Sequence, residues 1–356
     1  VSSKESTAPQ VRLPAEWEPQ SAIMLTWPHI NTDWRETLSA VEETYFEIAK
    51  AVLSSQNLLI SCEDSNALER ARKELRPIAK KNGTNISSYA VPADDTWARD
   101  HGPISVFRDT SPTLVNFTFN AWGDKYASGK DNLITLDLAR QGAFAETEIK
   151  TVNFILEGGS IESDGKGTLL TTEHCLLQES RNQDLSKADI EITLKRELGV
   201  SRILWLSAGY LTGDDTDAHI DTLARFVDTN TICYVACNDQ SDEHYFPLKE
   251  MEAQLQAFKT REGKPYRLVP LPMPTPVFVD NKRLPATYAN FLITNQSVLL
   301  PIYDCEQDEA AIAIIQDCFP NRSVIAINCL PLIEQHGSLH CVTMQLHLQP
   351  LKGNCV

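Results

Sequence analysis

The chain carries 356 residues, of which 42% are hydrophobic and 8% aromatic, a composition that supports one large or two ordinary domains with a normal buried core. Asp and Glu number 48 against 32 Lys and Arg, and the formal charge of −16 argues against nucleic acid and anionic membrane as partners and favours small cations. No apolar run reaches the ~18 residues of a membrane span and residues 1–10 lack the apolar centre of a signal peptide, so a cytoplasmic protein is expected.

Residues 21–26 read as a strand, Trp27-Pro28 breaks it, and Leu38, Val41, Tyr45, Ile48 and Val52 recur at helical spacing. Residues 58–62 form the next strand. A charged helix over 65–81, interrupted or kinked at Pro77, leads to a strand over 86–91 and the polar loop 93–103. The order of elements then recurs. A hairpin-like pair (104–107, 113–119) precedes a helix over 133–140, a strand over 152–156 and Glu157-Gly158-Gly159. A third round runs from 160–162 and 168–171, through a helix with capping-box spacing at Ser186 and Asp189 and a C-cap at Gly199, to a strand over 203–206. A fourth takes 223–227, 232–236, a helix over 246–258 and a strand over 267–271, with a Pro-rich loop over 272–285. The fifth takes 288–294, 298–302, a helix over 309–318 and a strand over 324–327. The last apolar stretch, 342–348, supplies the strand that the first round lacks.

These are five ββαβ rounds of ~60 to 75 residues, a period at which repeats share one continuous architecture. Closure into a ring is expected, because the C-terminal strand then completes the first repeat and leaves no unpaired edge. The fold class is therefore α/β, with residues 1–356 as a single domain.

Asp100, Glu157, His219 and Cys341 all occupy the loop after the last strand of a round, so a ring brings them to one end of one cleft. The stretch Gly213-Asp214-Asp215-Thr216-Asp217-Ala218-His219-Ile220-Asp221 adds four carboxylates and an imidazole within nine residues, and such crowded like charges call for a cation to face them. The nine cysteines are scattered without a CxxC pair, so reduced thiols are the default. A cysteine near a cationic neighbour gains thiolate character, and histidine is the usual acid and base near neutral pH. Cys341 and His219 form that pair, Glu157 could hold the imidazole, and Asp100 and Asp221 suit the planar donors of a guanidinium. The implied reaction is thiolate attack on a guanidinium carbon. Taken singly, each residue has a plainer use: Asp100 in a surface ion pair with Arg99, Glu157 capping a turn, His219 as a satisfied polar group, Cys341 as core filler, Trp97 and Trp122 as core or rim.

Trp97-Ala-Arg-Asp-His-Gly-Pro103, Phe119-Asn-Ala-Trp-Gly-Asp-Lys-Tyr126, Leu156-Glu-Gly-Gly-Ser160, Gly167-Thr-Leu-Leu-Thr-Thr-Glu173, Asp215-Thr-Asp-Ala-His-Ile-Asp221 and Gly337-Ser-Leu-His-Cys-Val-Thr343 resemble the agmatine deiminase and bacterial peptidylarginine deiminase family. The resemblance runs from Trp17 to the C-terminus. It implies a five-bladed α/β propeller (pentein) of the guanidine-modifying superfamily. It also implies Cys341 as nucleophile, His219 as acid and base, Glu157 as its partner, and Asp100 and Asp221 as guanidinium ligands. Trp97, Trp122 and Asp215 are implied at the substrate end. Agmatine deiminases commonly carry Asp-Glu-Thr before the histidine and Gly-Gly-Gly-Asn before the cysteine, whereas this chain has Asp214-Asp215-Thr216 and His336-Gly337-Ser338.

The implied reaction converts agmatine to N-carbamoylputrescine and ammonia through a covalent amidino-thioether, with no metal or organic cofactor. Asp214, Asp215 and Asp217 are expected to line the pocket mouth. Free or peptidyl arginine is the competing substrate, and an α-carboxylate calls for an arginine in the pocket, with Arg99 and Arg225 as candidates. Two other classes remain: a hydrolase with His219, Asp221, His340 and Cys341 as metal ligands, and a non-catalytic ring scaffold. The expected partner is a small cationic guanidino compound, with homo-oligomer formation left open.

Overall fold

The computed structural model describes residues 10–349; the polar start of the chain and the outer limits of the expected 1–356 domain lie outside them. The architecture is α/β. Five of the six sheets have three or four strands, and each is built on an antiparallel pair followed, after a helix or a longer loop, by a parallel strand. The first unites Thr343–Leu346, Ala22–Thr26, Asn57–Cys62 and Ile86–Ala90, with the first pair antiparallel and the rest parallel. In the second, Val11–Arg12, Ile104–Arg108 and Ser111–Thr118 pair antiparallel, and Glu148–Ile155 adds in parallel. The third takes Ile161–Ser163, Thr168–Thr172 and Arg202–Leu206, and the fourth Ala224–Asp228, Thr231–Ala236 and Arg267–Pro272. Leu292–Ile293, Ser297–Ile302 and Ser323–Asn328 make the fifth.

Local chemistry accounts for most element boundaries. The helix Leu38–Leu53 buries Val41, Tyr45, Ile48 and Val52 as one stripe. Ser186 and Asp189 close a reciprocal capping box at the start of Lys187–Leu198, and Gly199, at φ 67°, ends it in the left-handed region. The helix Ser65–Asn82 continues through Pro77, so of the interruption or kink expected there the interruption is absent. Pro77 and Lys73 are both exposed, so the carbonyl that the missing N–H leaves free is solvated.

Two other expectations change. The Pro-rich loop holds a short hairpin, Phe278–Val279 against Lys282–Arg283, whose turn residues Asp280 and Asn281 both have positive φ. Within 288–294 only Leu292–Ile293 pairs as strand. The carbonyls of Ala289 and Phe291 instead accept from the buried Arg225 guanidinium, so they are not available to a ladder.

In four of the five sheets the last strand is followed by a loop that carries a candidate site residue. Asp100 follows Ile86–Ala90, Glu157 follows Glu148–Ile155, His219 and Asp221 follow Arg202–Leu206, and Cys341 follows Ser323–Asn328. The loop after the fourth sheet carries the hairpin instead.

Candidate active site

Asp100 sits in the one-turn helix Ala98–His101, whose first turn is pinned to the Cys341 loop by a hydrogen bond from the Arg99 N–H to the Cys341 carbonyl, 3.1 Å. Its Oδ1 accepts from the Gly159 N–H at 3.0 Å and its Oδ2 from Trp122 Nε1 at 3.0 Å. Glycine is required at 159. A Cβ there would stand 2.5 Å from His219 Nδ1 and 2.9 Å from Asp100 Oδ1. His219 Nδ1 lies 3.6 Å from Asp100 Oδ1.

The loop before His219 is shaped from inside. Asp214 accepts from Thr216 and from the Ala218 N–H, and Asp217 and Ala218 both adopt positive φ. Asp217 pairs with Lys125 at 2.8 Å and with Arg181 at 2.7 Å. Asp214 and Asp217 are therefore spent on holding the loop, contrary to the expectation that they line the pocket mouth. Asp215 does line the cleft, and its Oδ2 accepts from Tyr126 Oη at 2.8 Å.

Glu157 is fully buried, and its Oε1 accepts from Arg181 Nε at 2.8 Å. The expected hydrogen bond from His219 to Glu157 is absent, although the two residues, with Cys175, place donor atoms within 4.8 Å of one another. Arg181 was not legible as a site residue. It lies 24 positions from Glu157 in an unremarkable short helix, and no local spacing marks it.

Asp221 is tied into the core. His340 is hydrogen-bonded through Nδ1 to Asp221 Oδ2 at 2.7 Å and through Nε2 to Glu16 Oε2 at 2.8 Å. Glu16 also pairs with Arg225 at 2.7 Å, which in turn reaches Glu162 at 3.1 Å. Both ring nitrogens of His340 are thus engaged, and the metal set His219, Asp221, His340 and Cys341 does not assemble. Cys341 Sγ is 3.4 Å from Asn290 Oδ1 and 4.0 Å from Asp221 Oδ2. No hydrogen bond joins it to His219 among the described residues.

These settings decide protonation. Burial, with Asp221 and Glu157 adding to it against His219, pushes the Asp100 carboxyl up to about 6. For Asp221 burial is outweighed by the His340 hydrogen bond and charge, so its pKa falls below the usual carboxylate range. Burial also opposes a charged His219, but Asp100, then Cys175 and Glu157, outweigh it and hold the ring protonated well above its ordinary range. Burial, then Asp221 and Asp100, raises the Cys341 thiol well above its ordinary range.

Cys341 and Asp100 line one narrow cleft together. Trp97 and Trp122 are edge-on to each other along it at 6.4 Å, and Trp97 Nε1 donates to Asp95 Oδ2 at 2.9 Å. Asp33, Asp95 and Asp215 line the rest, with burial pushing Asp95 up to about 7. Asp33 and Asp95 were missed in the sequence because Asp33 is far from every motif and Asp95 reads as a turn residue. Among the described residues no lysine or arginine lines this cleft. Arg99 instead donates to Gln345 Oε1 at 2.6 Å, and Arg225 lies in the core network.

With the geometry in place, comparison with known proteins identifies the lineage. The model of the Porphyromonas-type peptidyl-arginine deiminases matches residues 12–347. A Porphyromonas gingivalis protein provisionally named an arginine deiminase is 50% identical, with a TM-score of 0.89 over 94% of this chain and 98% of its own. A C. jejuni agmatine deiminase carrying a cysteine-to-serine substitution, with substrate bound, is 37% identical, with a TM-score of 0.88 over 95% of this chain and 97% of its own. The agmatine deiminase of Pseudomonas aeruginosa is 31% identical over 94% of this chain and 95% of that protein. The class is thus that of α/β proteins sharing one fold with solved agmatine deiminases. The chain belongs to the Porphyromonas-type peptidyl-arginine deiminase family.

Proposed function

We propose that this protein is a hydrolase that deiminates agmatine to N-carbamoylputrescine and ammonia, with Cys341 as nucleophile. The observation that carries the reading is the cleft, where the Cys341 thiol and Asp100 share the lining with Asp33, Asp95, Asp215 and the rings of Trp97, Trp122 and Tyr126, and no lysine or arginine among the described residues lines it. That suits a chain with a guanidinium at one end and an ammonium at the other. Asp100 and Asp221 would hold the guanidinium, Trp97 and Trp122 would flank the aliphatic chain, and Asp215 would meet the amine. No cofactor enters the scheme. The reading also takes the five sheets as blades of a pseudo-symmetric propeller forming one domain, supported by their shared pairing pattern and by the site loops that follow their last strands.

The steps follow from the protonation states. A guanidinium arriving between Asp100 and Asp221 offsets the charges that keep the thiol protonated, and the thiol proton leaves to solvent. The sulfur bonds to the guanidinium carbon. His219, held protonated, gives its proton to the departing nitrogen, so the C–N bond breaks and ammonia leaves an amidino-thioether. Water then gives a proton to His219 and bonds to the same carbon, the C–S bond breaks with its electron pair returning to sulfur, the sulfur takes the remaining hydroxyl proton, and the ureido product leaves. Glu157 and Arg181 keep the imidazole's surroundings in place. The C. jejuni relative, whose cysteine-to-serine variant was captured with substrate, fits this division of labour.

Ammonia release from agmatine, free arginine and a peptidylarginine, run side by side, tests the reading. Agmatine is expected to dominate. Equal turnover of arginine would retain the chemistry and overturn the substrate, a reading that the similarity to the P. gingivalis protein keeps in the comparison.

A further inference from the structure

The deimination scheme gives no task to Cys175. This residue sits in the short helix Glu173–Leu176, whose start is capped by Thr172 Oγ1 accepting from the Cys175 N–H at 3.3 Å, and it is fully buried. Its neighbours come from two other loops. Glu157, Cys175 and His219 each present one donor atom, and those atoms lie within 4.8 Å of one another. The cluster holds buried atoms without any hydrogen-bond partner: Glu157 Oε2 and both ring nitrogens of His219. Buried polar atoms are nearly always paired, so three in one cluster point to something that binds there.

The donor types say what that is. A carboxylate oxygen, a thiolate sulfur and an imidazole nitrogen are the ligands of zinc, whereas magnesium and calcium require oxygen shells. In a tetrahedral zinc site neighbouring ligand atoms stand ~3.5 Å apart, so atoms that lie within 4.8 Å of one another need to close by at most about 1.3 Å to fill three corners and leave the fourth for water. An imidazolium and a thiol must each lose a proton before they can act as ligands, so binding of an ion there is coupled to proton release. The surrounding groups keep their partners throughout: Arg181 remains on Glu157 Oε1 and on Asp217, Asp100 remains on Gly159 and Trp122, and Asp221 remains on His340.

We propose that Glu157, Cys175 and His219 form a binding site for a zinc-class divalent cation, and that an ion held there switches the enzyme off by occupying His219. The inhibition rests on the deimination reading; the binding does not. Asp100 belongs to the cleft and stands 3.6 Å from His219 Nδ1, which places the site within reach of ions entering by the substrate route.

The test uses cobalt(II) as a spectroscopic probe and zinc chloride in calorimetry on the full chain. Cobalt is expected to produce a thiolate charge-transfer band, and zinc to bind with release of two protons per ion, read from the buffer dependence of the heat. Cys175→Ser should abolish the band and weaken zinc binding by at least about 100-fold, more than the loss of an outer-shell partner costs. Glu157→Gln, a second variant in case the first does not fold, should weaken binding while retaining the band. Cys341→Ser should keep both band and heat. A band that disappears in Cys341→Ser and survives in Cys175→Ser would move the ion to the nucleophile and overturn the site, as would the absence of band and heat in the wild type. In the ammonia assay zinc should inhibit the wild type and lose that effect in Cys175→Ser. Because the band and the heat need no turnover, failure of the deimination reading and failure of the metal site give different results.

Discussion

Two loops bring a buried carboxylate to the Cys341 end of the cleft, and the two are compensated in opposite ways. Asp221 is compensated from within, through His340 to Glu16, Arg225 and Glu162, a network in which Asp221 Oδ1 and Arg225 Nε are the buried atoms left without a hydrogen bond among the described residues. Asp100 has a backbone N–H, an indole N–H and a histidine at 3.6 Å, with no guanidinium or ammonium of the protein against it. Its carboxyl is accordingly pushed up to about 6 while that of Asp221 is held down. Asp221 has one oxygen tied to the scaffold through His340 and keeps only Oδ1 for a guanidinium, whereas Asp100 has no guanidinium or ammonium partner among the described residues, so in the proposed reaction the two would hold the substrate on unequal terms.

The largest expected effect bears on what both carboxylates serve. Cys341→Ser should abolish turnover, by about 10³-fold or more, while agmatine still binds, and a haloacetamidine should label the wild type at Cys341 alone. Labelling at another cysteine, Cys175 included, would remove the nucleophile from this comparison.

Neutralising either carboxylate should lower kcat/KM by about two to four orders of magnitude, and stability separates the pair. Asp221→Asn breaks a buried charge network and should cost roughly 3 to 5 kcal/mol, read from the denaturant midpoint. Asp100→Asn removes a charge that burial already disfavours, and should cost less than about 1 kcal/mol. Equal losses in the two variants would erase the distinction drawn here.

The acid side carries the next prediction. As pH falls through about 6, Asp100 gains a proton and kcat/KM should fall with it. Stability moves the other way for this residue. Its folded pKa lies above the unfolded value of 3.8, so between that value and about 6 the native state holds the extra proton, and Asp100 makes folding less favourable as pH rises through this window. Asp221, with its folded pKa lowered, contributes stability that is present above the unfolded value and lost as pH falls towards the folded one. Comparing pH-dependent unfolding of Asp100→Asn and Asp221→Asn with the wild type should show the two slopes with opposite sign.

The smallest effects fall at the far end of the cleft. Agmatine should exceed free arginine by at least ~100-fold in kcat/KM, about 2.7 kcal/mol. Asp215→Asn should remove about tenfold of that, chiefly through KM. Unchanged selectivity would transfer the amine contact to Asp33 or Asp95.

Much of this was legible in the chain. The order of strands and helices, the capping box at Ser186 and the loop positions of Asp100, Glu157, His219 and Cys341 follow from period, caps and spacing. What escaped is long-range pairing. His340 and Glu16 stand 324 positions apart, Cys341 and Asn290 stand 51 apart, and nothing in the local pattern of either residue announces its partner. The same cause explains the error over Asp214 and Asp217, which read as pocket acids until Arg181, Lys125 and the backbone of their own turn claim them. The uninterrupted helix at Pro77 and the hairpin at Asp280-Asn281 depend on solvent exposure and turn geometry, which composition does not display.

The antiparallel pairing of Thr343–Leu346 with Ala22–Thr26 also sets a temporal order. On the ribosome, Asp100, Glu157, His219 and Asp221 all emerge before Cys341 and before the strand that borders it. The proposed nucleophile is thus the last of the site residues to be made, and its chemistry is expected only once the final strand of the first sheet is in place. Translation arrest with Cys341 made but Thr343–Leu346 still held inside the ribosome should yield polypeptide inert towards a haloacetamidine at Cys341, with reactivity appearing as release lets the sheet close.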